Sequence, residues 1–530
     1  MAIKLKANTL RTFTTLHTWV GLVAGFALFV AFYAGAITVF HHELMLWQSP
    51  HAIDQPVDTL DDAQALLDDT LSRHAGARAW VGMMFPGDES RQAATYWQDT
   101  DGVWRFANRD DPGGSEQPPA ASLSELVNAL HYSLGIPVAG TWLMGIVSLL
   151  YGLALVSGVV IHLPKLMADL FALRLGRNLK RFWQDAHNLI GVLGLPMHIM
   201  FAVTGALLCL VMVVSYALNP LVYGGKLFEA MPAALDTAPV VTPADEPAAL
   251  GGVAMWHARS KAVAAEQGLP AFEPAYLKLT NAGDANAIVE VTGAVPRALG
   301  ALGAVALDAN TGDVVATQLP GRRDANHATL SIAYLLHFGE YGNAWVRWLY
   351  FMLGIGGAFL FYSGNLLWIE SRRKRRQAVQ GAAQVWMAKA TVGFCIGVCV
   401  AVSAAFVAAQ VFEAKSAAWG VSVDAGVRWT CFASWALCLA WAALRPPLPA
   451  ARELLLAAAL VSALVPVAHG AMTGWWFWAS AAAGHGALFA IDIGALALSA
   501  GFLWLAWMAT LRARHGEANG VWAVQAHPPG

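Results

Sequence analysis

Charge is scarce in this chain. Only 13% of its 530 residues are Asp, Glu, Lys or Arg, while 57% are hydrophobic. A water-soluble protein of this length could not cover its surface with so few charges, so a lipid bilayer is the expected solvent for much of it. The net charge of −2 gives no basis for nucleic-acid binding. Cysteine is rarer still. Cys209, Cys395, Cys399, Cys431 and Cys438 all lie in apolar runs, so no disulfide framework holds the long polar segments. Cys395 and Cys399, one helical turn apart, read as packing residues, because two thiolates alone make a poor closed metal site. P-loop, dinucleotide and zincin motifs are missing too. A cleaved signal peptide is not expected. The first apolar run is too long for its hydrophobic region and no small-residue cleavage site follows, so it should remain as an anchor.

What is present is a series of apolar runs near the ~20 residues that span a bilayer. Eight occur, at Trp19–Phe40, Trp142–Ile161, Leu189–Val214, Val346–Ile369, Val385–Ala409, Val427–Ala443, Leu454–His469 and Gly486–Thr510. Continuous runs of this length in lipid mean helices, which satisfy their own backbone. The expected organisation is a first membrane helix in 1–48, a polar domain at 49–130 and two membrane helices with a basic loop in 131–220. A second polar domain at 221–336, a fourth helix in 337–376, a four-helix extension over 377–514 and a tail at 515–530 complete it.

Basic residues cluster on one side of this pattern. Lys4, Lys6 and Arg11 precede the first run, and Lys165, Arg174, Arg177, Lys180 and Arg181 separate the second from the third. Arg372, Arg373, Lys374, Arg375 and Arg376 follow the fourth, Arg445 and Arg452 the sixth, and Arg512 and Arg514 the eighth. The positive-inside rule therefore places both termini in the cytoplasm and both polar segments outside an inner membrane. Those segments read as small α+β units. Helices are expected at Asp58–Ser72 and Ala254–Gln267, from apolar residues at helical spacing. Strands are expected at Ala79–Met84, Ala93–Gln98, Val103–Ala107, Ala275–Thr280, Ala287–Thr292, Val305–Asp308 and Val314–Thr317, the last two joined by a turn at Ala309-Asn310-Thr311-Gly312.

The first four runs contain a repeat. His17 precedes Gly21 and Gly35 as His187 precedes Gly191 and Gly205, with eighteen residues from each histidine to the later glycine. His131 lies 27 residues before Gly158, and His337 lies 27 residues before Gly364. Each half is helix, polar segment, helix, so a pseudo-two-fold axis along the membrane normal is expected, with His17 near His187 and His131 near His337.

The histidine-glycine helix starts, the Ser-Gly pairs at Ser157-Gly158 and Ser363-Gly364, and the hairpin from Leu307 to Asp313 resemble PepSY-associated transmembrane proteins. Leu195-Pro196-Met197-His198, followed by Thr204-Gly205, is similar to the branch containing inner-membrane ferric-siderophore reductases. The resemblance covers about residues 10–375 and leaves out the last four runs. It implies a polytopic α-helical membrane protein with two periplasmic PepSY-like domains, iron-linked expression and haem held by membrane histidines.

Ionisable residues at membrane depth are costly and usually have a partner or a role. On one straight helix, His187 and His198 would stand ~16.5 Å apart on the same face, an arrangement suited to two stacked haems. The bland alternative for both is a hydrogen-bonded packing histidine beside the Pro196 kink. His17 follows His187 by repeat as an inner ligand, with an interfacial histidine as its rival reading. His131 and His337 could serve an outer haem, or could instead cap or dock the polar domains. His41 and His42 read as a wet interfacial cluster beside Glu43. His162 corresponds to Trp368 in the other half, which argues against a ligand role. His469 and His485 flank a tryptophan-rich loop that reads as an interface belt. Asp492 is expected to pair with a polar group or to carry protons. His51, His74, His257, His327, His515 and His527 take the solvated reading.

Together these features predict an electron relay. A cytoplasmic or membrane donor would reduce a haem b near His17 and His187. A second haem b involving His198, His131 or His337 would pass the electron to a periplasmic ferric-siderophore chelate, and no acid–base catalyst is needed. Two rival classes are a PepSY anchor that binds peptide or a protease partner, and a transporter of siderophore or iron.

Overall fold

The computed structural model describes residues 6–50, 53, 56–87, 91–116, 122–163, 179–296, 301–339, 341–374, 376–377, 380–515 and 519–523. Lys4, Lys165, Arg174, Arg177, Arg375, His51 and His527, all weighed above, lie outside them. The described chain begins with α1 (Ala7–Thr38), α2 (His41–Gln48), α3 (Leu60–Arg73), α4 (Ala75–Ala79), β1 (Trp80–Met84), β2 (Ala94–Gln98) and β3 (Trp104–Asn108). It continues through α5 (Ser122–Ser133), α6 (Ala139–His162), α7 (Leu179–Leu193), α8 (Leu195–Leu221), α9 (Leu227–Leu235) and α10 (Val253–Glu266). Next come β4 (Glu273–Thr280), β5 (Ile288–Ala294), β6 (Leu302–Asp308), β7 (Val314–Gln318), α11 (Ala325–Phe338) and α12 (Ala344–Ser371). The last elements are α13 (Ala382–Thr391), a π-helical turn (Val392–Ile396), α14 (Gly397–Trp419), α15 (Val423–Leu444), α16 (Pro447–Thr473), α17 (Phe477–Ala482) and α18 (Gly486–His515).

These elements form two units. One joins Met1–Pro50, Ala121–Val211 and Trp348–Gly530, and the other joins His51–Ala120 and Met212–Arg347. In the second unit both polar segments have the expected helix-plus-strand content, but they build one seven-stranded antiparallel sheet in the order β3-β2-β1-β4-β5-β6-β7. The seam is β1 against β4, where Trp80 faces Thr280 and Met84 faces Tyr276. The physical reason is edge chemistry. Val81 and Met83 of β1 are fully buried, and a three-stranded sheet would leave that strand's backbone groups unpaired on one side. Val81, Met83, Leu277, Val291 and Val305 form one buried cluster with Leu67 of α3 and Trp256 of α10. Thr59 and Asp62 cap α3 reciprocally, each side chain accepting the other's backbone N–H. The β6–β7 turn is held by Asp308, whose Oδ1 accepts the N–H groups of Asn310 and Thr311, with Gly312 at φ +79°.

The first unit is helical. Among the described residues, seven helices are long and apolar enough to cross a membrane, and the bent pair α7–α8 makes up to eight. The chain is thus a polytopic α-helical membrane protein. The shortest expected span, Leu454–His469, lies within the 27-residue α16. The third span departs from expectation. It is broken at Gly194 and bent by 70°. Pro196 cannot donate to the preceding turn, so α7 cannot run straight into α8. The single straight helix expected to carry both His187 and His198 is therefore corrected to two helices.

Candidate histidine site in the membrane helices

His17 on α1 and His187 on α7 come together, with ring centres 6.2 Å apart and ring planes at 80°. Their surroundings repeat almost atom for atom. His17 Nδ1 lies 2.9 Å from the carbonyl of Ala154 and 3.2 Å from Ser157 Oγ, both on α6. His187 Nδ1 lies 3.0 Å from the carbonyl of Leu360 and 3.3 Å from Ser363 Oγ, both on α12. A carbonyl only accepts, so each Nδ1 carries the hydrogen and donates it. Each Nε2 then holds the lone pair, and neither makes a hydrogen bond among the described residues.

The glycines of the two Ser-Gly pairs make room for these rings. A Cβ on Gly158 would lie 3.2 Å from His17 Cε1, and one on Gly364 would lie 3.3 Å from His187 Cε1. The sequence repeat marked Ser157-Gly158 and Ser363-Gly364 as landmarks, without showing that each cradles the histidine on the other helix of its own half.

His198, 3% exposed, sits apart on α8. Its Nδ1 is 2.7 Å from the hydroxyl of Tyr151 on α6. Its Nε2 is buried on the side of the Ile190 carbonyl, without a well-formed hydrogen bond among the described residues. Phe32 and Tyr151 contact its ring, and Phe201 and Phe361 extend that aromatic cluster. Gly194 is again spatially required, since a Cβ there would fall 2.7 Å from His198 Nε2. Sequence reasoning missed Tyr151, because nothing in its apolar run signals a partner on another helix.

His131 on α5 donates from Nδ1 to the carbonyl of Ala31 at 2.7 Å. Its ring occupies the space a side chain at Gly35 would need, 2.6 Å from the Cβ position. His337 lies on α11 in the sheet unit, with its ring 5.4 Å from that of Phe338. His41 Nε2 lies 3.8 Å from a Glu125 carboxylate oxygen. No group of three or more His, Cys, Asp or Glu side chains that could hold a bare metal ion occurs among the described residues.

The site suits a group that takes imidazole from two sides. An imidazole nitrogen sits about 2 Å from the metal it ligates, which sets the centres of two opposed rings about 6 Å apart. The 6.2 Å between His17 and His187 meets that spacing. Nδ1–H groups held by carbonyls are also what fixes the tautomer and orientation of metal-bound histidines.

Fold and site together define a polytopic membrane protein with paired intramembrane histidines. The model of the PepSY-associated TM region matches residues 14–371, and the chain belongs to that family. It is similar to an uncharacterized protein of Pseudomonas aeruginosa, 27% identical over 295 residues that cover 52% of this chain and 70% of the relative. The extension from α13 to α18 lies beyond the family match.

Proposed function

We propose that this chain is a haem-carrying inner-membrane reductase that passes electrons to periplasmic ferric iron held in a siderophore chelate. The observation that supports this reading is the matched pair His17 and His187, with both Nδ1 groups tied to carbonyls and neither Nε2 hydrogen-bonded among the described residues. A haem b held by this pair would supply a one-electron Fe(III)/Fe(II) couple. The protein's own part is to fix ring orientation through Ala154 and Leu360, and to admit the rings at Gly158 and Gly364. His198 and His131, both in the helical unit, are the residues proposed for a second haem b. The basic segments on one side of the spans support cytoplasmic termini and an outward-facing sheet unit. Reduction of the chelated iron weakens its binding, because Fe(II) prefers other ligands than those that hold Fe(III).

The test is an absorption spectrum of the detergent-purified protein, oxidised and dithionite-reduced, with the haem-to-protein ratio. About two haems per chain, and a sharp Soret band with reduced α and β bands, are expected for bis-histidine ligation. A colourless protein from haem-replete cells would overturn the reading in favour of a PepSY-domain anchor for a peptide or protease partner.

A further inference from the structure

The extension, which lies beyond the family match, joins α2 in a buried polar chain that none of the preceding roles uses. His469 on α16 and Asp492 on α18 are both 0% exposed, and His469 Nδ1 lies 2.9 Å from Asp492 Oδ2. The other carboxylate oxygen accepts the indole N–H of Trp47 on α2 at 2.9 Å. The Trp47 and His469 rings are 4.9 Å apart, and the Trp47 carbonyl accepts from Gln410 Nε2 on α14 at 2.8 Å. One side of the imidazole is thus fully specified. The other is not. His469 Nε2, Gln410 Oε1 and Ser480 Oγ are buried with no hydrogen-bond partner among the described residues. Ser480 is close in the fold, because its N–H donates to the carbonyl of Trp476, and the Trp476 indole occupies the space beside Gly470, next to His469.

An unsatisfied polar atom in this setting costs roughly 1–3 kcal/mol, and three of them in one region point to a partner. That partner must offer hydroxyl or carbonyl groups, must reach the site through lipid, and must suit the flat rings of Trp47, Trp476 and Trp478, the last two stacked at 5.1 Å. Apolar side chains on the same two helices, Val467, Phe489 and Ile493, are exposed.

We infer that the extension binds a lipophilic quinol at His469, whose Nε2 accepts from a quinol hydroxyl while Asp492 and Trp47 hold the ring. The position suits an electron donor to the haem site. Gln48, the residue after Trp47, accepts the Leu123 N–H through its Oε1, and Leu123 lies on α5 eight residues, ~12 Å, from His131. Oxidation of one quinol to the quinone breaks two O–H bonds and releases two protons and two electrons. His469 Nε2 takes each proton in turn and passes it to water, while two ferric acceptors each take one electron and become ferrous. This donor role rests on the reductase reading, whereas the binding does not.

The test titrates the full-length protein in lipid nanodiscs with a short-chain ubiquinone analogue, read by tryptophan fluorescence quenching and by equilibrium dialysis. Saturable binding of one quinone per chain is expected, with Kd raised at least tenfold in His469→Gln and in Asp492→Asn. Ser480→Ala should weaken binding a few-fold, and Ser403→Ala, outside the site, should leave it unchanged. Melting temperatures of the variants identify any that fail to fold, in which case Ser480→Ala decides. Absence of saturable binding, or wild-type Kd in the folded variants, overturns the inference and leaves bound water as the partner of these atoms. Haem content is measured on the same samples. Haem-free protein that still binds quinone sinks only the reductase reading, and haem-replete protein that does not bind sinks only this inference.

Discussion

The two halves of the repeat agree at one level of the helical unit and part at another. Around His17 and His187 every partner has its counterpart: Ala154 and Leu360, Ser157 and Ser363, Gly158 and Gly364, with matching distances agreeing to about 0.1 Å. Around His198 nothing matches. The equivalent of His198 in α1 is Leu28, and the equivalent of Tyr151 in α12 is Gly357, whose missing side chain is occupied by Phe32. A duplicated fold keeps its symmetry where both copies serve one group on the axis, and loses it where one copy takes a separate task. Tyr151 comes from the first half and His198 from the second, and the two symmetry-related positions, Gly357 and Leu28, carry neither side chain, which marks Tyr151 and His198 as a pair.

The largest expected effect tests the symmetric level. His17→Ala and His187→Ala should each remove about one haem per chain, by the same amount, because a group held from two sides is lost with either ligand. Unequal losses, read by pyridine haemochrome assay, would break the equivalence. The asymmetric level comes next. Tyr151→Phe leaves the buried Nδ1 of His198 without its partner, at a cost of roughly 1–3 kcal/mol. It should alter only one of two resolved haem signals in electron paramagnetic resonance. A change in both signals would mean that the two levels form one site.

A smaller effect is expected at the glycines. Gly158→Ala and Gly364→Ala each set a methyl group against the edge of a histidine ring, so the ring must yield by a few tenths of an ångström. The two variants should shift one midpoint potential in the same direction and by a similar amount, on the order of 30 mV, about half of the 59 mV that corresponds to tenfold in a one-electron equilibrium. Opposite signs under redox titration would show that the two rings do not bear on the same group.

Much of this arrangement is legible in the sequence because it depends on periodicity and spacing. The spans follow from apolar length, and α3, α10 and the β6–β7 hairpin follow from caps, alternation and turn residues such as Asp308 and Gly312. The pairing of His17 with His187 follows from the equal spacing of the two halves. What spacing does not encode is contact between elements of unrelated register. The seam of β1 with β4, Tyr151 against His198, and Asp492 against both His469 and Trp47 each join residues that no local pattern links. The bend at Gly194 belongs to the same class. Pro196 announces a kink, but a 70° break requires knowing where the α8 end is held. Asp492 is a partial case, since its cost in an apolar helix does predict a polar partner without naming it.

The smallest effect separates orientation from ligation. Ser157 Oγ donates to the carbonyls of Leu153 and Ala154, so it meets the His17 Nδ1–H only as a second, longer acceptor behind the Ala154 carbonyl. Ser363 Oγ donates to Leu360 and stands in the same relation to His187. Removing either hydroxyl leaves the stronger carbonyl contact in place, so no buried donor is orphaned. Ser157→Ala and Ser363→Ala should therefore keep full haem content and change the potential by less than the glycine variants do. The double variant should add the two effects, because the serines lie on different helices and bear on different rings. Loss of haem from either single variant would show that the hydroxyl, rather than the carbonyl, fixes the tautomer, and the account of how both rings present Nε2 would have to be reversed.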